Sequence, residues 1–128
     1  MRILLDTHAV IWWVDQDGLL SLASHAAIAD PANELLVSAA TVWEIAIELG
    51  IARLSLSMPY RQWMNQALAG LQASILPITV EYAERQTELP NHHRDPFDRL
   101  LIAQALVEDV PVVSADTTFE QYGVKRIR

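Results

Sequence analysis

Short unbroken apolar runs alternate along this chain with longer stretches in which apolar residues recur every three or four positions. Ile3 to Leu5, Leu35 to Val37 and Val112 to Val113 are runs of the first kind, which suit strands covered on both faces. A weaker strand is expected at Ser74 to Leu76 and a last one around Val124 to Ile127. Between them the pattern predicts helices over Thr7 to Val14, Ser21 to Ala29, Ala40 to Leu49, Pro59 to Leu68, Val80 to Glu88 and Pro96 to Glu108. Asp15-Gln16-Asp17-Gly18 reads as a turn, Asp30-Pro31 and Pro90 as helix stops, Gly50 as a left-handed cap, and Gly70 follows the fourth helix. Strands alternating with helices indicate an α/β fold: one domain over residues 1–128, with a mainly parallel central sheet of about five strands flanked by helices. Ligands in such folds collect beyond the carboxyl ends of the strands.

Acidic residues stand at those ends. Asp6 follows the first strand, Asp116 follows Val112-Val113-Ser114-Ala115, and Glu44 lies shortly after the Leu35 to Val37 strand. Asp95 and Asp98 open the helix that starts at Pro96, three positions apart and therefore on one face of its first turn. Each acid has an ordinary structural reading. Asp6 and Asp95 fit helix N-caps, Thr41-Val42-Trp43-Glu44 fits a capping box, and Asp116 before Thr117-Thr118 fits a turn head. Convergence favours a different reading, because two carboxylates about 4 to 5 Å apart repel by roughly 3 to 4 kcal/mol at an effective dielectric near 20. Several crowded acids without a cation would consume much of a typical stability of about 5 to 15 kcal/mol. Hard oxygen donors without cysteine or paired histidine spacing suit Mg²⁺ or Mn²⁺, not Zn²⁺. Such ions would bind a phosphodiester and lower the pKa of an attacking water.

Composition narrows the classes further. With 128 residues, 52% of them hydrophobic, the chain can build a core, which excludes intrinsic disorder. The longest apolar run, Ala9 to Val14, is too short to cross a membrane, and no secretory signal is expected at the N-terminus. The absence of cysteine removes disulfides and thiol chemistry and makes the cytoplasm the default compartment. The four glycines are scattered, so no glycine-rich phosphate loop exists. A net charge of −7 argues against a polyanionic partner unless cations intervene. Each divalent ion held by the acids would offset two of those seven charges and concentrate positive charge where a phosphate must bind.

Four stretches taken together resemble a PIN domain, and specifically the VapC-type toxins of bacterial and archaeal toxin–antitoxin pairs. They are Ile3-Leu4-Leu5-Asp6-Thr7-His8, Ser38-Ala39-Ala40-Thr41-Val42-Trp43-Glu44-Ile45, Asp95-Pro96-Phe97-Asp98-Arg99-Leu100-Leu101-Ile102-Ala103-Gln104-Ala105, and Val113-Ser114-Ala115-Asp116. The resemblance implies Mg²⁺- or Mn²⁺-dependent hydrolysis of RNA, with Asp6, Glu44, Asp98 and Asp116 matching the family's acidic quartet. Asp6 and Asp98 are then the expected direct ligands, and Asp95 matches a frequently acidic accessory position. It also implies a small VapB-type antitoxin that wraps the toxin and occludes the site, and a homodimeric toxin.

Other polar residues carry less. Thr7 and Ser38 either hydrogen-bond a ligand near the acids or act as plain caps. Arg99 either holds a phosphate or balances local charge. His92-His93-Arg94 is expected in a solvated loop, since no metal-ligand spacing accompanies the pair. Adjacent Trp12 and Trp13 cannot easily both face inward on one helix, so one is expected to meet a partner. Two other classes compete with a nuclease: an enzyme or receiver using Asp6 as nucleophile or phosphoacceptor, and a catalytically silent interaction protein. The first lacks a second acid beside Asp6 and has only Lys125 to offer a phosphate.

Overall fold

A computed structural model describes all 128 residues. Five strands form one sheet: β1 (Arg2–Leu5), β2 (Glu34–Ser38), β3 (Ser74–Leu76), β4 (Val112–Val113) and β5 (Arg126–Ile127). Their order is β3-β2-β1-β4-β5 and every pairing is parallel, so the expected mainly parallel sheet is wholly so. Leu5 lies opposite Val37 on one side and Val113 on the other, which sets β1 at the centre. The order grows outward from β1 through β2 and β3, then restarts on its other side with β4 and β5. The crevice beyond β1 and β4 is therefore the topological switch point, where ligands of open parallel sheets bind.

Six helices cover the sheet: α1 (Thr7–Asp15), α2 (Leu22–Ala29), α3 (Ala39–Gly50), α4 (Tyr60–Leu71), α5 (Val80–Thr87) and α6 (Pro96–Glu108), with short 3-10 helices at Asp17–Leu19 and Thr117–Tyr122. Alternation along the strands divides the core in two. Ile3, Leu5, Leu35, Val37 and Val113 point to a layer that includes Val10, Ile45 and the fully buried Trp63. Leu4, Leu36 and Val112 point to the other, with Leu101, Ile102 and Phe119. Burial on both faces is why these strands read as unbroken apolar runs.

Two expected helix ends fall elsewhere. Gly50 is the last helical residue of α3, and the left-handed residue is Ala52, at φ 59°. Gly70 lies inside α4, which continues to Leu71 because that side chain is buried in the core, and the left-handed cap is Gln72 at φ 49°. Trp12 and Trp13 are both half-buried against the same core layer, so neither is turned fully outward. Trp13 stacks on His25 and Trp12 on His8, with ring centroids 5.0 and 5.6 Å apart.

Candidate active site

Each acid is held by the start of an element, and capping does the holding. Asp6 ends β1 and caps α1, its Oδ1 accepting from the Ala9 N–H at 2.8 Å. Asp95 caps α6, accepting from the Phe97 and Asp98 N–H groups at 2.8 and 3.4 Å, which presents Asp98 in the first turn. Asp116 caps the second 3-10 helix, its Oδ1 accepting from the Thr118 N–H at 2.9 Å. Capping and convergence are thus compatible: Asp6 and Asp116 each fix backbone through Oδ1 and still line the cleft.

Glu44 differs. Ser38, not Thr41, caps α3, its hydroxyl accepting from the Ala40 N–H at 3.1 Å, so the capping box expected at Thr41 to Glu44 does not form. Glu44 lies inside the helix, only 7% exposed, where its Oε1 accepts from the Thr7 hydroxyl at 2.6 Å. Thr7 is also within 3.2 Å of the Thr41 hydroxyl, which ties α1 to α3 beneath the acids.

Asp6, Asp98 and Asp116 line one cleft of about 310 Å³ with His8, Trp12 and Ala115. Glu44 lies outside that wall, near enough to raise Asp98 electrostatically. The crowding shows in the proton affinities. Burial, then the neighbouring Asp95 and, further off, Glu44 and Asp6, push the Asp98 carboxyl up to about 7 against a partial pull from His93. Burial likewise raises Asp6, and the Ser114 hydroxyl and Ala9 N–H offset only part of it. Glu44 is raised by burial, with Thr7 working against it and Asp95 with it. Asp116 goes the other way: burial alone would raise it, but hydrogen bonds from the Thr118 N–H and hydroxyl and from His93 prevail and lower it.

His93 is the residue that sequence reasoning left in a solvated loop. Its Nε2 lies 2.9 Å from Asp116 Oδ2 and 3.2 Å from Asp98 Oδ2, and ligand atoms of the three residues fall within 4.8 Å of one another. Its Nδ1 accepts from the Asp95 N–H at 3.2 Å, which leaves Nε2 carrying the proton and donating between the two carboxylates. The loop that carries it is fastened from below. Tyr122 accepts from the His92 and His93 N–H groups at 2.9 and 2.8 Å and donates to the Pro90 carbonyl at 2.8 Å. The Arg99 guanidinium donates to the carbonyls of Gln86, Leu89, Pro90 and His93, so its charge is directed at the loop and not at the cleft. No local signal marks His93, because its position depends on Tyr122, far along the chain.

An N–H donor lodged between two acids, and three carboxyls raised by burial and mutual repulsion, describe a place that favours positive charge. Its potential ligand atoms are carboxylate oxygens of Asp98 and Asp116 and a ring nitrogen of His93, a set that suits a divalent cation. Asp98 and Asp116 converge directly, Asp6 faces them across the cleft, and Glu44 and Asp95 add negative charge behind.

Comparison with known proteins agrees with this architecture. The family model described as "PIN domain" matches residues 3–125. Over 115 residues, 89% of this chain and 86% of the relative, the sequence is 32% identical to Ribonuclease VapC22 of Mycobacterium tuberculosis. Among solved structures, VapBC2 from Rickettsia felis bound to a DNA fragment from its promoter superposes with a TM-score of 0.71 at 15% identity, covering 98% of this chain and 97% of that one. VapBC-1 from nontypeable Haemophilus influenzae gives 0.67 at 16% identity, covering 98% and 96%. Matched from its first strand almost to its last residue, the chain belongs to the PIN-domain family.

Proposed function

We propose that this protein is the toxin of a type II toxin–antitoxin pair and an endoribonuclease that hydrolyses RNA phosphodiesters with Mg²⁺ or Mn²⁺. The observation that carries the reading is the meeting of Asp6, Asp98 and Asp116 in one cleft at the topological switch point, with Glu44 behind them. Asp98, Asp116 and Asp6 would hold the cation, with Glu44 and Asp95 adding the negative charge that favours it. When bound, the cation supplies Lewis acidity toward the phosphate and a more acidic water at neutral pH. The chain's own part is to fix these carboxylates. The Ala9, Phe97 and Thr118 N–H groups anchor Asp6, Asp95 and Asp116, and the Thr7 hydroxyl orients Glu44. Because burial and neighbouring acids hold the proton on Asp98, it must give that proton up to receive the cation, so binding should be favoured as pH rises.

The partner proposed is a VapB-type antitoxin whose basic segment enters the acidic cleft, in keeping with the net charge of −7 and the VapBC complexes that share the fold. A cytoplasmic, homodimeric toxin completes the reading. No helix is long and apolar enough to cross a membrane.

Purified wild-type protein should cleave single-stranded RNA in Mg²⁺ or Mn²⁺ and stop in excess EDTA. Asp98→Asn should lower cleavage by more than about 100-fold, beyond the 10- to 100-fold cost of losing a group one step removed from a metal. Undiminished hydrolysis by a clean Asp98→Asn preparation would refute the site. Growth arrest on induction, relieved by Asp6→Ala, would support the toxin assignment, and arrest by Asp6→Ala as strong as wild type would oppose it.

A further inference from the structure

The acidic cleft has no positive wall of its own, yet a polyanion must cross it if the ribonuclease reading, on which this inference rests, is right. Trp12 marks the crossing. It lines the acidic cleft and also the two cavities on either side of it. One, of about 240 Å³, opens beyond β4 toward the start of α2, where Ser21, Thr117, Arg126 and Arg128 supply polar groups. The other, of about 280 Å³, opens between α1 and the end of α3, where His8, Arg53 and Ser55 do so.

Asp6, Trp12 and Ala115 line both the first of these and the acidic cleft, and His8 and Trp12 both the cleft and the second, so the carboxylates stand between arginines. Two other cations are committed elsewhere: Arg2 to Glu34 and Glu108, and Arg99 to loop carbonyls. Arg53 makes no side-chain ion pair and is exposed. Arg126 is only 4% exposed and held by Glu120 and the Ser114 carbonyl through Nε and Nη1, which leaves Nη2 free of protein partners. Of the acids beside Arg53, Asp15 is engaged by the N–H and hydroxyl of Ser57, while Glu48 opposes an anion there.

Trp12 is suited to a base. Its indole is half-buried against core residues, which fixes it, while its remaining surface faces the cavities. His8 sits one turn earlier on α1 and packs on it at 5.6 Å and 44°, widening the aromatic surface. Stacking needs no particular base, and arginines at each end receive phosphates, the two components of single-strand binding.

We infer that a single-stranded RNA crosses the cleft over Trp12, one base stacked on the indole and the flanking phosphates received by Arg53 at one end and by the exposed Arg128, with the paired Arg126 behind it, at the other. The probe is a short fluorescein-labelled single-stranded RNA titrated into full-length Asp98→Asn protein, which should bind it without cutting it. Adding Trp12→Ala should weaken binding by roughly 5- to 100-fold, the range for loss of one base–aromatic stack, and Trp12→Phe should restore part of the loss. Adding Arg53→Gln, an exposed change that leaves the core intact, should reduce the slope of log affinity against log salt by about 0.7. Glu48→Gln should tighten binding modestly.

Unchanged affinity in both Trp12 variants together with an unchanged salt slope in Arg53→Gln, while the wild type cuts RNA, would overturn the path and leave the nuclease standing. A Trp12→Ala variant that binds RNA normally but changes its mass in solution would reassign the indole to a protein interface, also overturning the path. A wild type that neither binds nor cuts RNA would remove the ribonuclease reading and the path with it.

Discussion

The two sides of the acidic cleft are built differently. On the α6 side, residues 90 to 99 are tied into one body: Arg99 and Tyr122 hold the loop, His93 reaches Asp98 and Asp116, and Asp95 caps the helix. On the α1 side, His8 and Arg53 extend toward the cavities without side-chain hydrogen bonds, and Trp12 is anchored only by packing. The contrast follows from what each side must do. Holding like charges together requires donors fixed in advance, since the carboxylates would otherwise relax apart. Receiving a ligand requires groups that have no protein partner to give up.

The largest stability difference should appear when a residue from each side is removed. Arg99→Ala strips donors from four loop carbonyls, and hydrogen bonds from a charged group are worth about 1.5 to 3 kcal/mol net. Urea unfolding should show a loss of about 2 to 3 kcal/mol for Arg99→Ala. His8→Ala on the open side should stay within about 0.5 kcal/mol of wild type. Equal losses at the two positions would erase the distinction.

A smaller effect separates the sides by pH. The unfolded Asp98 carboxyl ionises near pH 4, whereas the folded one keeps its proton to about 7, so between these values the folded protein binds more protons. Stability in EDTA should therefore fall as pH rises through this window, with Asp6 and Glu44 adding in the same direction. Asp116, lowered in the folded state, contributes stability above its unfolded pKa that is lost only on strong acidification, so it cannot mask the fall. Asp98→Asn should flatten the melting-temperature profile between about pH 4 and 7, whereas Arg53→Gln, which perturbs none of these carboxyls, should leave its slope unchanged.

The acids of the cleft were legible in the sequence, whereas the groups that tie the α6 side together and the open cations of the α1 side were not. The run Ile3 to Leu5 ending in Asp6 announces a buried strand, a switch point and a cap at once, because each depends on neighbouring residues. The Asp95-Pro96 helix start is equally local. His93 was not legible, because what positions it is Tyr122, 29 residues later, and a guanidinium that could as well have met a phosphate. The ends of α3 and α4 were missed for a related reason. Gly50 and Gly70 are permissive for a left-handed turn, but burial of Leu71 carries α4 one residue past Gly70, and α3 turns only at Ala52. Thr41 to Glu44 matched a capping box by spacing alone, while β2 ends at Ser38 and starts the helix earlier.

A cation site built from these carboxylates should bind metal saturably. Titration of Mn²⁺ into metal-free wild-type and Asp98→Asn protein by calorimetry at pH 7.5 tests it most directly. The expected result is saturable binding to the wild type, tighter as pH rises because the ligands must be deprotonated, and loss of that binding in Asp98→Asn. Absence of saturable binding to the folded wild type, or equal binding by Asp98→Asn, would contradict it.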